Sequence, residues 1–127
     1  MADVKIFTFV ESRYQVNRKK IRDVIHEVLD TKGITSKCEV SLAFVGDRKM
    51  HGLNLKFRNL DKTTNILSFP LSEGQQTPLP ASVMRLGDIV ISYPQIIKEA
   101  ARDEMMVDDK INQLVEHGLL HLLGEHH

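Results

Sequence analysis

Residues 107–127 read VDDKINQLVEHGLLHLLGEHH, and this stretch decides the predicted fold and the predicted site. Apolar residues recur in it at three- and four-residue intervals, which predicts a helix with one face buried against the rest of the protein. His117 and His121 lie four residues apart on that helix. Their rings therefore project from one face, about one turn apart, and can point at a common atom.

Gly124 stands where a helix commonly ends in a left-handed residue. A chain that turns there can bring His127 back beside His117 and His121, so that three imidazoles converge. Three nitrogen ligands with a fourth position left to water form the arrangement of a catalytic zinc. Nickel, copper or cobalt also accept three imidazoles. Two alternatives remain open: two histidines at helical spacing can be coincidental, and a terminal His-His pair can belong to an affinity tag.

Composition limits the classes that the protein can belong to. The chain has 127 residues, 42% of them hydrophobic, which is enough for one domain with its own core. Its 17 basic and 17 acidic residues balance, so global charge favours neither nucleic acid nor an anionic membrane. Cys38 is the only cysteine, which excludes an intramolecular disulfide and a cysteine-rich structural zinc site. No leader or membrane span is apparent, so we expect a soluble cytoplasmic protein with no membrane or DNA partner.

The predicted elements follow the order strand, helix, strand, helix, strand, strand, helix, helix. The strands are residues 4–10, 38–45, 64–69 and 86–92, and the helices are residues 16–29, 47–57, 94–101 and the final helix that carries the histidines. Helical connections early in the chain favour parallel neighbours, and the connection between the last two strands allows an antiparallel edge strand. We predict an α+β fold in one domain, residues 1–127: a four-stranded mixed sheet, mostly parallel with an antiparallel edge strand, packed with about four to five helices in a zinc-hydrolase-like arrangement.

Two local features refine this prediction. Asp47 is a good N-cap for the second helix. Residues 71–85 contain prolines and glycine without periodicity, which predicts a long loop that is either a functional flap or a mobile excursion.

The residue after the first histidine limits the chemistry. Zinc peptidases of the HExxH type carry a glutamate there as general base, whereas this chain has Gly118. A metal can lower the pKa of water to about 7 without such a base. Phosphodiesters then become the favoured substrate, because their transition state needs charge neutralisation. Arg58, at the end of the second predicted helix, is the candidate cation, since a guanidinium binds phosphate oxygens in a planar, bidentate manner.

The chain resembles the YbeY family of metal-dependent endoribonucleases. The resemblance spans nearly the whole sequence and lies in three segments: Leu53 to Arg58 with TNILSFP at residues 64–70, then LGDI at residues 86–89, then HGLLHLLG at residues 117–124 with His127. It implies a mixed sheet surrounded by helices, His117, His121 and His127 as zinc ligands, and Arg58 as the functional arginine.

The resemblance also implies a biological role. The implied activity is cleavage of single-stranded RNA in ribosomal RNA maturation, at the 3′ end of the small-subunit RNA, and in ribosome quality control. The implied partners are ribosomal RNA and the ribosome or its proteins. Asp88 belongs to the family's Gly-Asp motif, and we expect it to be structural or to orient a ligand imidazole.

The sequence departs from the family at its end. The family usually has Tyr-Asp-His where this chain has Glu125-His126-His127, so His126 is a possible competing ligand. The family pattern continues past its third histidine into another helix, and a ligand on a terminal residue is expected to be held weakly, because chain ends fray.

Three functions are compatible with the sequence. The first is a zinc-dependent endoribonuclease. The second is a non-catalytic ribosome assembly factor with a structural metal site, which the neutral net charge supports. The third is a hydrolase of another ester or an amide, which Gly118 disfavours.

Overall fold

The computed structural model describes residues 3–71 and 83–124. In chain order its elements are β1 (Asp3–Val10), α1 (Arg18–Thr31), β2 (Lys37–Val45), α2 (Asp47–Arg58), β3 (Ile66–Pro70), β4 (Val83–Ser92), α3 (Tyr93–Arg102) and α4 (Val107–Leu122).

The four strands of the described chain form one mixed sheet in the order β1-β2-β4-β3. The pairs β1–β2 and β2–β4 are parallel, and β3 pairs antiparallel with β4 at the edge of the sheet. The long helical connections of the first strands produce the parallel pairs, as a crossover requires. The predicted α+β fold is confirmed.

Helices α1 and α4 cover one face of the sheet. Their apolar residues pack on inward-facing residues of β2 and β4, among them Leu42, Phe44 and Ile89, which are 2% exposed or less. Alternation along β2 places every second side chain in this core. Cys38 is one of them, 2% exposed, and its burial raises the pKa of the thiol, as is typical of a small core residue.

The other face of the sheet is only partly covered. Helix α2 packs over one end of it, where Val45, Met50 and Leu67 form a small second core. The outward-facing residues Phe7 and Phe9 of β1 stay 46% and 59% exposed. The sheet therefore has one fully packed face and one face with an open, apolar region.

The structure corrects several predicted boundaries. Helix α2 begins at Asp47, so Gly46 is the N-cap residue and Asp47 lies in the first turn. Pro70 belongs to β3 as its last residue, on the edge of the sheet, where a missing N–H is tolerated. Strand β4 begins at Val83, so the last residues of the predicted loop are strand, and residues 72–82 of that loop lie outside the described residues.

Within residues 3–71 and 83–124, every helix is too short or too polar to cross a lipid bilayer.

Candidate functional site

The histidine pair lies near the end of α4. The helix buries one face, and its last turns carry His117 on the exposed side and a half-buried His121. The centroids of the two imidazole rings are 4.5 Å apart, with an interplanar angle of 47°. This confirms that the spacing brings both rings to one face. Two imidazoles so close together can supply two ligands to one divalent metal ion.

Gly118 fixes the position of this end of α4. A Cβ built on Gly118 would lie 3.0 Å from Ile66 Cδ1 and 3.2 Å from Ile89 Cγ2, so the helix backbone presses directly on β3 and β4. Glu116 and Leu120, on another side of α4, line a crevice against α1. The histidines therefore lie away from α1, on the side of β3. A larger residue at position 118 would point into the core, which agrees with the absence of a peptidase-type base there.

Arg58 reaches the same edge strand from the other direction. It is the last residue of α2, and its Nη2 donates a hydrogen bond of 2.9 Å to the carbonyl oxygen of Ser68 in β3. Its guanidinium carbon also lies 5.1 Å from the centroid of the Phe69 ring. Strand β3 thus contacts α4 on one side and Arg58 on the other. The side chain is exposed, and the described residues leave most of its N–H groups available to a ligand.

The third predicted ligand, His127, lies outside the described residues, as do Glu125 and His126. In residues 3–71 and 83–124 there is no group of three or more His, Cys, Asp or Glu side chains that could hold a metal ion. Gly124 has the expected left-handed backbone, with φ of +90°, and its N–H donates to the carbonyl of His121 at 3.0 Å. The described chain therefore provides two nitrogen ligands and the positive-φ glycine after them, a donor set that fits a metal centre in part.

Asp88 faces away from the histidines. Its neighbours Gly87 and Ile89 point toward α4, where they approach Leu122 and Gly118. By the alternation of β4, the Asp88 side chain points to the opposite face, where it lines the open region of the sheet. The expectation that Asp88 orients a ligand imidazole is wrong, because the sheet separates the carboxylate from both rings.

A polar cluster around Asp47 was not predicted. The Asp47 carboxylate accepts hydrogen bonds from Ser92 Oγ at 2.7 Å, Thr63 Oγ1 at 3.1 Å and Gln95 Nε2 at 3.1 Å. Burial alone would raise the pKa of Asp47, but these donors outweigh it and hold the pKa below its ordinary value. The cluster joins the start of α2 to the end of β4 and to α3, so its role is structural.

His51 also has a partner that the sequence did not indicate. Its Nε2 lies 2.6 Å from Asp61 Oδ1, ten residues along the chain. Both side chains are exposed.

Comparison with known proteins identifies the family. The family model described as Endoribonuclease YbeY matches residues 7–127. The chain belongs to the YbeY family. The resemblance carried by the three sequence segments is thereby confirmed.

Several YbeY relatives align over most of the chain. Endoribonuclease YbeY of Acinetobacter baumannii strain ATCC 17978 is 33% identical over 119 residues, which cover 94% of this chain and 75% of the relative. The proteins of the same name from Desulforamulus reducens strain MI-1 and Clostridioides difficile strain 630 are 38% and 35% identical. Those two alignments each cover 86% of this chain, with 72% and 71% of the respective relative.

A solved structure shares the fold of this chain. The solution structure of TM1509 from Thermotoga maritima superposes with a TM-score of 0.61 and covers 97% of this chain and 75% of that chain. At 22% sequence identity, this likeness bears on the fold alone.

Proposed function

We propose that this chain is a metal-dependent endoribonuclease that cleaves single-stranded RNA in the cytoplasm. The metal is zinc, held by His117, His121 and His127, and Arg58 is the catalytic cation. The biological substrate is ribosomal RNA, at the 3′ end of the small-subunit RNA, and the activity also serves ribosome quality control. The relatives are named Endoribonuclease YbeY, which supports an RNA substrate for this chain.

One observation carries this proposal: two ring centroids 4.5 Å apart and an arginine lie on elements that contact the same edge strand. Helix α4 presses on β3 through Gly118, and Arg58 binds the backbone of β3 at Ser68. Because both contacts are to the same short strand, a phosphodiester at this edge can meet a histidine-bound ion and a guanidinium together.

The residues of the site divide the work between them. A divalent metal ion, when bound, supplies Lewis acidity toward a phosphate oxygen and lowers the pKa of water. His117 and His121 would provide nitrogen ligands. Their orientation depends on α4, whose rotation about its axis is limited by the close contact of Gly118 with Ile66 and Ile89. Arg58 is held by Ser68 and by the Phe69 ring, so its plane is ordered before RNA arrives, and its remaining N–H groups can bind the charge that grows on the phosphate.

Purified protein tests the proposal directly. We expect cleavage of a single-stranded ribosomal RNA fragment that stops with a chelator and returns with zinc, together with about one zinc per chain by elemental analysis. His117→Ala should abolish cleavage and lower the zinc content without unfolding the protein, since His117 is exposed. His51→Ala is the matched control, because it removes an exposed histidine that lies outside the pair. Undiminished cleavage by His117→Ala, or by chelated protein, would reject metal catalysis.

The assembly-factor alternative is tested in cells. If His117→Ala restores normal ribosomal RNA processing as well as the unaltered chain does, the protein acts by binding. If only the unaltered chain restores processing, the chemistry is required.

A further inference from the structure

The open face of the sheet carries four phenylalanines, of which only Phe69 has a part in the proposed chemistry. Phe7 and Phe9 project from β1, Phe57 from α2 and Phe69 from β3, and together they line a groove of about 730 Å³, which we call the aromatic groove. Phe7, Phe9 and Phe57 are 46%, 59% and 50% exposed. Exposed phenylalanine rings grouped in this way are unusual on a protein surface and mark a binding site.

Cations accompany these rings. Lys5 Nζ lies 5.5 Å from the centroid of Phe7, and Lys56 Nζ lies 5.2 Å from the centroid of Phe57. With Arg58 at 5.1 Å from Phe69, three cation–ring contacts lie on this face. The chain has no net charge, so this clustering is a local property of the groove.

The groove also has polar groups on its walls and floor. Lys49 of α2 lines it, as do Ser41 and Asp88. Two further acidic residues belong to this face outside the groove: Glu39, whose Oε2 lies 3.6 Å from Arg85 Nε, and Asp3, which alternates with Lys5 and Phe7 on the exposed side of β1. A ligand in the groove would therefore meet apolar rings, several cations at the rim and one carboxylate able to accept hydrogen bonds.

The aromatic groove adjoins Arg58 through Phe69, which lines the groove. Ser68 and Phe69 are adjacent residues of β3, and Arg58 contacts both. Its guanidinium lies over the Phe69 ring and donates a hydrogen bond to the carbonyl oxygen of Ser68. Phe57 meets Phe69 edge-on, with centroids 5.3 Å apart. A chain-like ligand that crosses β3 beside Arg58 can thus have one part near the histidines and the next part in the groove.

We propose that the aromatic groove binds unpaired bases of single-stranded RNA adjacent to the scissile phosphate. Bases stack on Phe7, Phe9 and Phe57, the backbone phosphates follow Lys49 and Lys56, and Asp88 accepts hydrogen bonds from base amino groups. Bases in a duplex are stacked on each other and cannot enter, so the groove selects single strands. This inference rests on the proposed function and adds the surface that chooses the substrate.

Charge complementarity favours RNA as the occupant. Aromatic rings on which bases stack, beside cations that contact the backbone phosphates, are the general pattern of single-strand binding. Such a surface accepts many sequences, because every base has a flat face. A purely apolar protein segment would bury the rings, but it would leave Lys49, Lys56 and Lys5 without partners. A second copy of this chain would bring the same cations together.

Fluorescence anisotropy tests the proposal by measuring the affinity of the full chain for a labelled single-stranded RNA oligonucleotide. One series of affinity measurements contains a metal chelator, which keeps the RNA from being cleaved. A second series contains added zinc. Phe9→Ser should weaken binding by about 5- to 100-fold, because one stacked base is lost. Phe9→Leu should weaken it to a similar extent, since leucine keeps the apolar surface but cannot stack. Lys49→Gln should weaken binding at low salt and reduce the salt dependence by about one ion.

Matched controls separate stacking from general loss of apolar surface. Met106→Ser removes a side chain that is 73% exposed just before α4, away from the groove, and should leave the affinity unchanged. The duplex form of the same oligonucleotide should bind more weakly and should not respond to Phe9→Ser. Thermal melting of each variant shows whether the fold is intact, and Phe7→Ser repeats the test at a second ring.

The outcomes are decisive. Unchanged affinity in both phenylalanine variants, or a wild-type chain that binds no single-stranded RNA, overturns the proposal. Full affinity in Phe9→Leu would overturn base stacking and assign the groove to an apolar protein partner. A wild-type dimer in sedimentation that is lost in Phe9→Ser, while RNA binding stays intact, would assign the groove to a second copy of the chain. Groove-dependent binding without any cleavage would instead refute the proposed nuclease activity, while the binding of unpaired bases in the aromatic groove would stand.

Discussion

Replacement of Gly87 by alanine should strongly destabilise the protein, because this residue allows three elements to meet. Its φ is +136°, a conformation that residues with a side chain rarely adopt. A Cβ there would lie 2.3 Å from the carbonyl oxygen of Phe69 and 3.0 Å from Leu122 Cδ2. The first contact is with the backbone of β3 and the second is with the end of α4, the helix that carries the histidine pair.

The magnitude follows from these two terms. The positive φ costs a non-glycine residue about 1–3 kcal/mol. The forced contact costs about 1–3 kcal/mol more, because relief requires backbone of the paired strands to move rather than a flexible side chain. The free energy of unfolding should therefore fall by roughly 2–6 kcal/mol, out of the 5–15 kcal/mol typical of a domain. For a chain of this length, that lowers the melting temperature by roughly 6–20 °C.

Chemical denaturation of Gly87→Ala and Gly52→Ala side by side provides the assay. Gly52 lies exposed inside α2, where an added Cβ meets nothing within 4 Å, so alanine there should raise the free energy of unfolding by up to about 1 kcal/mol through helix propensity. Hydrogen exchange should show earlier opening of β3 in Gly87→Ala. A Gly87→Ala protein within about 1 kcal/mol of the wild type would refute the steric argument.

Three further perturbations test other parts of the structure. Asp47→Ala should cost about 1–3 kcal/mol of unfolding free energy in denaturant titration, because it strips the fully buried Ser92 hydroxyl of its acceptor. Since the folded-state pKa of Asp47 is lowered, its contribution is complete above about pH 4 and is lost as the pH falls through the folded value, so wild-type stability should drop more steeply in acid than that of Asp47→Asn. Arg58→Lys should lower kcat/KM on single-stranded RNA roughly tenfold or more with an unchanged melting temperature, because lysine keeps the charge but loses the planar donors; equal rates would contradict the proposed role. Gly118→Glu should lower the melting temperature and yield no peptidase activity, since the carboxylate would be driven against Ile66.

Much of the fold could be predicted because its signals are local. Residues 38–45, which are long and largely apolar as predicted for a strand, form a central strand, β2. The helical connections indicated parallel pairs, and the connection between the last two strands allowed an antiparallel edge strand, which the structure shows to be β3. Errors were confined to element ends, such as Asp47, where a long-range hydrogen-bond cluster rather than local capping determines the position of the carboxylate.

The candidate site was predictable only in part. His117 and His121 were found because helical spacing alone brings side chains four residues apart to one face. The role of His127 as a third ligand stays a prediction, since that residue lies outside the described chain. The aromatic groove was not foreseen, because Phe7, Phe57 and Phe69 belong to three elements that are far apart in sequence.

The sequence by itself determined what depends on neighbours along the chain: the register of the two histidines on α4, the left-handed glycine after them, and the strands and helices of an α+β fold. Only the tertiary structure decided that Asp88 lies across the sheet from those histidines and that Arg58 shares the edge strand with them. The reason is that the face to which a strand residue points depends on strand order and pairing register, and a shift of one residue would exchange the two faces.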